Sequence, residues 1–402
     1  MKKNLEKFVA IDIGTYGLRL AEVRVDDDCV NIIKYSSVDY NQLFKDNAPF
    51  AIKVLNALEI ALINSGTKEK KAVISLPGNN MFESFTSLPP LDERDKDRKK
   101  LIIDFEAKQN IPFSMEEIYW RADTFCDSQS YNHLENCALI SVNKEKYIEI
   151  ICAVEEAGLK PFLVTSANYA LLNGFIACNP PPKSQDNVLI NVGHQITSII
   201  LTSQINDVDG LKYAYYFRSC PIAGSSITSQ ISKELGIAEE EAEKLKREHV
   251  HREWKNQEDE SEIVYTAQKL ARNVISRIKG EVNRSISVYR AQLNKNKPSN
   301  MIITGRGFPE SAEDAIKLEY VTNMKLSFPS TLDYVINPNI KDFSSILPII
   351  GLAEMASNSD AIFVDFCEKK NTGGIILSLV KGVVKVISIP FKIRMKIYLK
   401  EN

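Results

Sequence analysis

A strand–turn–strand pattern written twice, 179 residues apart, constrains this chain more than any other feature. In the first copy, FVAIDIGTYGLRLAEV, residues 8–13 form a short apolar strand and Gly14, Thr15, Tyr16 and Gly17 a turn. A second strand over 18–25 alternates Leu18 and Leu20 with Arg19 and Arg24. The second copy, NVLINVGHQITSIIL over 187–201, again has an apolar strand, a polar residue, a glycine, a turn and an apolar strand, with Asn191 standing 179 positions after Asp12. A period that long predicts two lobes, since stacked-repeat proteins use far shorter units. At 402 residues there is room for two or three domains of roughly 150 residues each.

The rest of the chain alternates helix and strand signals. Helices are predicted over 50–64, stopped by Gly66, and over 92–109, 147–157, 238–247 and 263–293; strands are predicted over 71–76, 137–142 and 300–304. In the longest helix, Ile263, Ala267, Leu270, Val274, Ile278, Val282, Ile286 and Tyr289 recur at three- and four-residue spacing, which reads as a core stripe. The run DERDKDRKK at 92–100 reads as a solvated helix face. Two uncharged stretches, 161–182 and 187–206, contain too many Asn, Ser, Thr and Pro residues for a membrane span.

Charge is unevenly distributed. The chain carries 50 basic and 52 acidic residues; eight of the basic ones fall in 369–400 with no acid among them, leaving 42 against 52 elsewhere, a net of −10. Basic residues nowhere interleave with aromatics as nucleic-acid binding requires, so no nucleic-acid partner is expected. Seven scattered cysteines without a C-x-x-C pair read as reduced thiols of a cytoplasmic protein. His249 and His251 have no accompanying ligand set and read as a solvated helix end, and His133 as a loop residue. No nucleophile–histidine–carboxylate arrangement is apparent, so the catalytic residues are unassigned.

The glycine turns carry the chemistry. Glycine lets a backbone approach a ligand closely, and successive N–H groups in a tight turn form an anion-binding concavity. Thr15 adds a hydroxyl donor, and Asp12 at the strand end can hold a Mg2+ ion through water. One such turn is a weak signal, but two facing each other across a cleft can hold a polyphosphate. A third, Gly305-Arg306-Gly307 behind the 300–304 strand, can let a nucleoside lie against bare backbone.

Three glycine turns in this order resemble the actin, chaperone and sugar-kinase superfamily. There, residues 9–23 are similar to its first phosphate loop, 190–201 to its second, 300–308 to its adenosine loop, and AEEEAEKLK at 238–246 to the segment whose Glu and Lys approach the nucleoside. Between the hairpins, FEAKQNIPFSMEEIYW at 105–120 and AVEEAGLKPFLVTSANYALLNGF at 153–175 resemble the type IV pilus assembly protein PilM family, an FtsA-like branch with an inserted subdomain. Residues 220–248 and ILPIIGLAEMA at 346–356 fit the same family.

The resemblance implies an α/β, two-lobed actin-like fold of duplicated ribonuclease H-like lobes with an FtsA-type insertion. It places the first lobe at 1–76 and 165–185, the insertion at 77–164, and the second lobe at 186–360 with a helical part at 236–299. It implies ATP and Mg2+ as cofactors, held by Asp12, Gly14, Thr15, Tyr16, Asn191, Gly193, His194, Gln195, Glu243, Lys246, Gly305, Arg306 and Gly307, with slow or no hydrolysis. It also implies a place at the cytoplasmic side of the inner membrane, docking the short cytoplasmic N-terminus of a PilN-like protein. A filament-forming relative of actin, self-associating end to end, is the alternative, and a sugar-kinase-type phosphotransferase a weaker one.

Several positions depart from the family pattern. Asn191 stands where the second phosphate loop has Asp, which weakens any metal site, and Arg306 stands where a small residue is usual. Arg306 either contacts a phosphate or covers the site. No water-positioning Gln or Glu can be picked from the connecting segment, and Asn168 reads as a helix cap. The basic stretch over 361–402 has two readings: contact with an anionic membrane surface or a partner, and packing on the protein's own acidic body.

Overall fold

The computed structural model describes residues 5–26, 29–42, 48–89, 95–126, 135–182, 185–207, 210–250, 261–307, 321–323, 333–336 and 343–367. Two sheets share one construction. In the first, β1 (Lys7–Ile13), β2 (Gly17–Asp26) and β3 (Cys29–Asp39) form an antiparallel meander, and β4 (Lys71–Leu76) and β8 (Lys160–Ser166) extend it in parallel from β1. In the second, β9 (Asp186–Val192), β10 (Thr197–Asp207) and β11 (Gly210–Cys220) form the meander, with β12 (Asn300–Thr304) and β13 (Thr322–Asn323) parallel beside β9. The duplication seen in sequence is therefore a duplication of topology.

Helices cover the sheets because each presents an apolar face. α1 (Phe50–Ser65) buries Ile52, Leu55 and Leu58 and stops at Gly66, whose φ of 60° is the left-handed cap that glycine adopts at least cost. α7 (Glu262–Leu293) packs on β10 and β11. Its buried stripe starts at Val264 and leaves Ile263, in the first turn after the Ser261 cap, 54% exposed.

The third unit is a small sheet in the order β5 (Met81–Leu88), β7 (Glu135–Asn143), β6 (Ile118–Cys126), backed by α2 (Lys96–Asn110). This insertion is narrower than the expected 77–164. α3 (Lys144–Glu156) packs on α1, and β8 belongs to the first sheet.

The expected end of the second lobe also moves. β14 (Asp333–Ile336) pairs with β3, and α8 (Leu347–Ser357) packs on α4 (Ala167–Cys178), so the chain returns to the first lobe after leaving the second. Residues 361–367 are part of that lobe too. Phe366 is fully buried, its N–H donates to the Val164 carbonyl, and its carbonyl accepts the Tyr147 hydroxyl. The basic stretch from 368 onward, His133 and His251 lie outside the described residues. Among the described residues no helix is long and apolar enough to cross a membrane.

Candidate functional site

The two hairpin turns are built alike. The Gly14 N–H donates to the Gly17 carbonyl at 3.0 Å, and the Gly193 N–H donates to the Ile196 carbonyl at 2.9 Å. Between the lobes lies a cleft of about 630 Å³ lined by both turns. Asp12, Gly14, Thr15, Tyr16, Asn191, Gly193, His194, Glu243, Lys246, Gly305, Arg306 and Gly307 all line it. Gln195 does not: it lines an adjoining hollow and accepts a hydrogen bond from Asn79 at 3.2 Å.

The glycines at the second turn allow backbones to touch. A Cβ on Gly307 would lie 1.9 Å from the Gly193 carbonyl oxygen, and one on Gly305, where φ is 99°, would lie 2.2 Å from that of Val192. Close stacking of the 193 and 307 turns therefore requires glycine.

Asp12 sits at 5% exposure between two partners set by strand register: Arg19 opposite it on β2 and Ser75 beside it on β4. Arg19 Nη1 donates to Oδ2 and Ser75 Oγ to Oδ1, each at 2.8 Å. Asn191 Oδ1 accepts from Thr304 Oγ1 at 3.1 Å. Among the described residues no group of three His, Cys, Asp or Glu converges as a metal site. Both oxygens of the Asp12 carboxylate are thus engaged, and its counterpart Asn191 is neutral.

After α5 (Gly224–Leu235), α6 (Glu239–Leu245) ends sooner than the predicted helix, because the chain widens into a π turn over Lys246–Val250. Lys246, 3% exposed, donates to Glu243 Oε2 at 2.6 Å, to Thr228 Oγ1 at 2.9 Å and to the Gly224 carbonyl at 3.2 Å. Burial works against charge on Glu243, but Lys246, Thr228 and Arg247 overcome it and hold the carboxyl down at about 2. Burial lowers the Lys246 ammonium, against the pull of Glu243.

Tyr16 and His194 meet across the cleft with ring centroids 4.9 Å apart, and the Arg247 guanidinium lies 5.0 Å from the Tyr16 ring centre. Burial, with Lys246 adding to it, pushes His194 down to about 4. An imidazole whose folded value is depressed binds fewer protons than the unfolded chain, so stability is lost as pH falls from 6.5 toward 4. Between pH 7.5 and pH 5 this residue is expected to account for about 2 kcal/mol of lost stability at about 1.4 kcal/mol per unit. Urea titrations of the wild type and His194→Asn at both pH values check this, and equal losses in both proteins would refute it.

Sequence reasoning missed Arg19, Arg247 and Glu83. Arg19 was legible only through register. Glu83 on β5 accepts from Ser166, Asn168 and Ser219, and burial raises it to about 7 against those three bonds. Asn168 is not the helix cap it resembled: Ser166 caps α4 by accepting from the Tyr169 N–H, and Asn168 turns its amide to Glu83.

Duplicated sheets about a glycine-lined cleft, with a small sheet inserted in the first lobe, define an actin-like protein. The profile of a family described as "Type IV pilus assembly protein PilM" matches residues 10–308, and the chain belongs to that family as an actin-like component of type IV pilus assembly. A PilM–PilN type IV pilus biogenesis complex aligns with a TM-score of 0.64 at 18% identity, covering 89% of this chain and 98% of that one. The ethanolamine utilization protein EutJ of Carboxydothermus hydrogenoformans aligns at 0.41 and 12%, covering 88% and 92%. The cytoplasmic domain of EpsL from the Vibrio cholerae type II secretion system aligns at 0.36 and 9%, covering 87% and 94%. No curated protein matches the chain by sequence.

Proposed function

We propose that the chain binds ATP between its lobes and docks the short cytoplasmic N-terminus of a PilN-like membrane protein, working at the cytoplasmic face of the inner membrane. The observation that carries the nucleotide reading is the cleft itself: two matched glycine turns, a third glycine turn stacked on the second, and Arg19, Lys246, Arg247 and Arg306 lining it. Four cations beside narrow backbone turns suit a polyphosphate. In this reading Arg19 would turn from its carboxylate partner to a phosphate, which would leave Asp12 an oxygen available. A Mg2+ ion would arrive on the phosphates and meet Asp12 through water. The docking reading rests on family membership and on the fold shared with the PilM–PilN complex. Slow or no turnover belongs to this reading, because two of the carboxylates lining the cleft, Asp12 and Glu243, are already bonded to Arg19 and to Lys246.

Titration calorimetry of purified protein with ATP tests the site. Asp12→Ala is expected to lower affinity at least tenfold in the presence of Mg2+, because the cleft then lacks the carboxylate that this reading assigns to the ion. Unchanged affinity would place the nucleotide elsewhere. Pull-down of a synthetic peptide matching a PilN N-terminus tests the docking.

A further inference from the structure

The insertion touches more than the lobe it is inserted into. Phe85 on β5 packs against Tyr216 and Phe217 of β11 in the second lobe, and the Tyr215 hydroxyl donates to Asp123 on β6. At the centre of this contact is Glu83. Its Oε1 accepts from Ser166 Oγ at 3.2 Å; its Oε2 accepts from Asn168 Nδ2 at 2.5 Å and from Ser219 Oγ at 3.3 Å. Asn168 Nδ2 also donates to Ser219 Oγ at 2.9 Å.

These partners come from three bodies. Glu83 belongs to the insertion, Ser166 and Asn168 to the junction of β8 and α4 in the first lobe, and Ser219 to β11 in the second. Each also adjoins the cleft wall. Ala167, between Ser166 and Asn168, lines the cleft, and so does Ser198, which pairs with Ser219 in the β10–β11 register. Gly78, another cleft residue, would bring a Cβ within 3.8 Å of Ser219 Oγ.

Two bonds at 3.2 and 3.3 Å are near the limit of a hydrogen bond, so a shift of about an ångström between lobes breaks one of them. The network is also one partner short: Asn168 Oδ1 is buried and accepts nothing among the described residues. A second arrangement that satisfies it is therefore not penalised by perfect satisfaction of this one.

We propose that Glu83 is the joint that couples the cleft to the inserted subdomain: a nucleotide that changes the angle between lobes rearranges the carboxylate's three bonds and thereby the insertion. Coupling of this kind is reciprocal, so a partner seated on the insertion changes nucleotide affinity by the same factor. This rests on the nucleotide reading of the cleft, and Glu83 acts as a positioning residue through Ser166, Asn168 and Ser219.

Hydrogen exchange of the full chain with and without saturating ADP tests the proposal, read at strands 81–88 and 118–126. In the wild type, ADP is expected to change protection of both strands. In Glu83→Gln that ADP-dependent change falls by at least half while ADP affinity stays within about fivefold. Ser219→Ala, which removes the network's two bonds to the second lobe, those of Ser219 Oγ with Glu83 and with Asn168, is expected to do the same without altering protection in the absence of ADP, and it decides the matter if Glu83→Gln fails to fold. A merely structural Glu83 would lower protection equally with and without ADP and leave the difference intact, which overturns the coupling alone. No response of either strand to ADP in a wild type that binds it does likewise. Failure of the wild type to bind ADP or ATP overturns the nucleotide reading, and the coupling with it.

Discussion

Gly351→Ala is expected to destabilise the protein by about 3 kcal/mol, the upper end of the usual cost of forcing an extra methyl into a close-packed interior. Gly351 lies where α8 crosses α4, and a Cβ there would stand 1.7 Å from the Ala170 carbonyl oxygen and 2.7 Å from the Gly174 N. The crossing is tight from both sides, since a Cβ on Gly174 would lie 2.2 Å from the Leu347 carbonyl. Neither obstacle is a flexible side chain, so the helices must separate. Both are buried along nearly their whole length, and α8 also packs on β1, β2 and β4, so separation opens the first lobe's core. Gly280→Ala is the control. It lies within α7 with nothing within 4 Å of its would-be Cβ, so replacement is expected to stabilise by roughly 0.5–1 kcal/mol through the lower chain entropy of alanine. Denaturant midpoints for the two variants should move in opposite directions. A Gly351→Ala midpoint at or above wild type would contradict the crossing described.

The parts of this structure that were legible in sequence are those whose cause is local. A glycine turn between two apolar strands looks the same wherever it occurs, so both hairpins and the third turn were readable, and with them most of the cleft lining. Arg19 shows the limit. On an isolated strand, Leu18 and Leu20 alternating with Arg19 reads as one face in and one out. Only the pairing with Asp12 across the hairpin turns that outward residue toward the cleft. Glu83 was less accessible still, for MFESFTSL does not alternate and its partners lie 83, 85 and 136 residues away.

The domain ends failed for a related reason. β14, α8 and residues 361–367 return to the first lobe through long-range pairing, and nothing in their own periodicity says which lobe they will join. Asn168 resembled a cap because it opens a helix, but Ser166 stands two residues earlier and takes that role, freeing the Asn168 amide for the insertion.

Lys246→Met is expected to cost about 3 kcal/mol of stability and to lower ATP affinity more than tenfold, and the two effects can be separated. Lys246 is almost fully buried, and its ammonium is the closest cation to Glu243. Removing one member of a buried pair strands the other, at a usual cost of roughly 3–5 kcal/mol; the lower end applies here because Arg247 Nε still reaches Glu243 Oε1 at 2.8 Å. Adding Glu243→Leu removes the stranded carboxylate, and two apolar side chains of similar volume are often as stable as the pair they replace. The double variant is therefore expected to unfold at a midpoint close to wild type. Its ATP affinity should stay low, since the cleft still lacks the cation that the nucleotide reading assigns to a phosphate. Affinity that recovers along with stability would mean that Lys246 serves only to neutralise Glu243, and that the phosphates are held by Arg19, Arg247 and Arg306 alone.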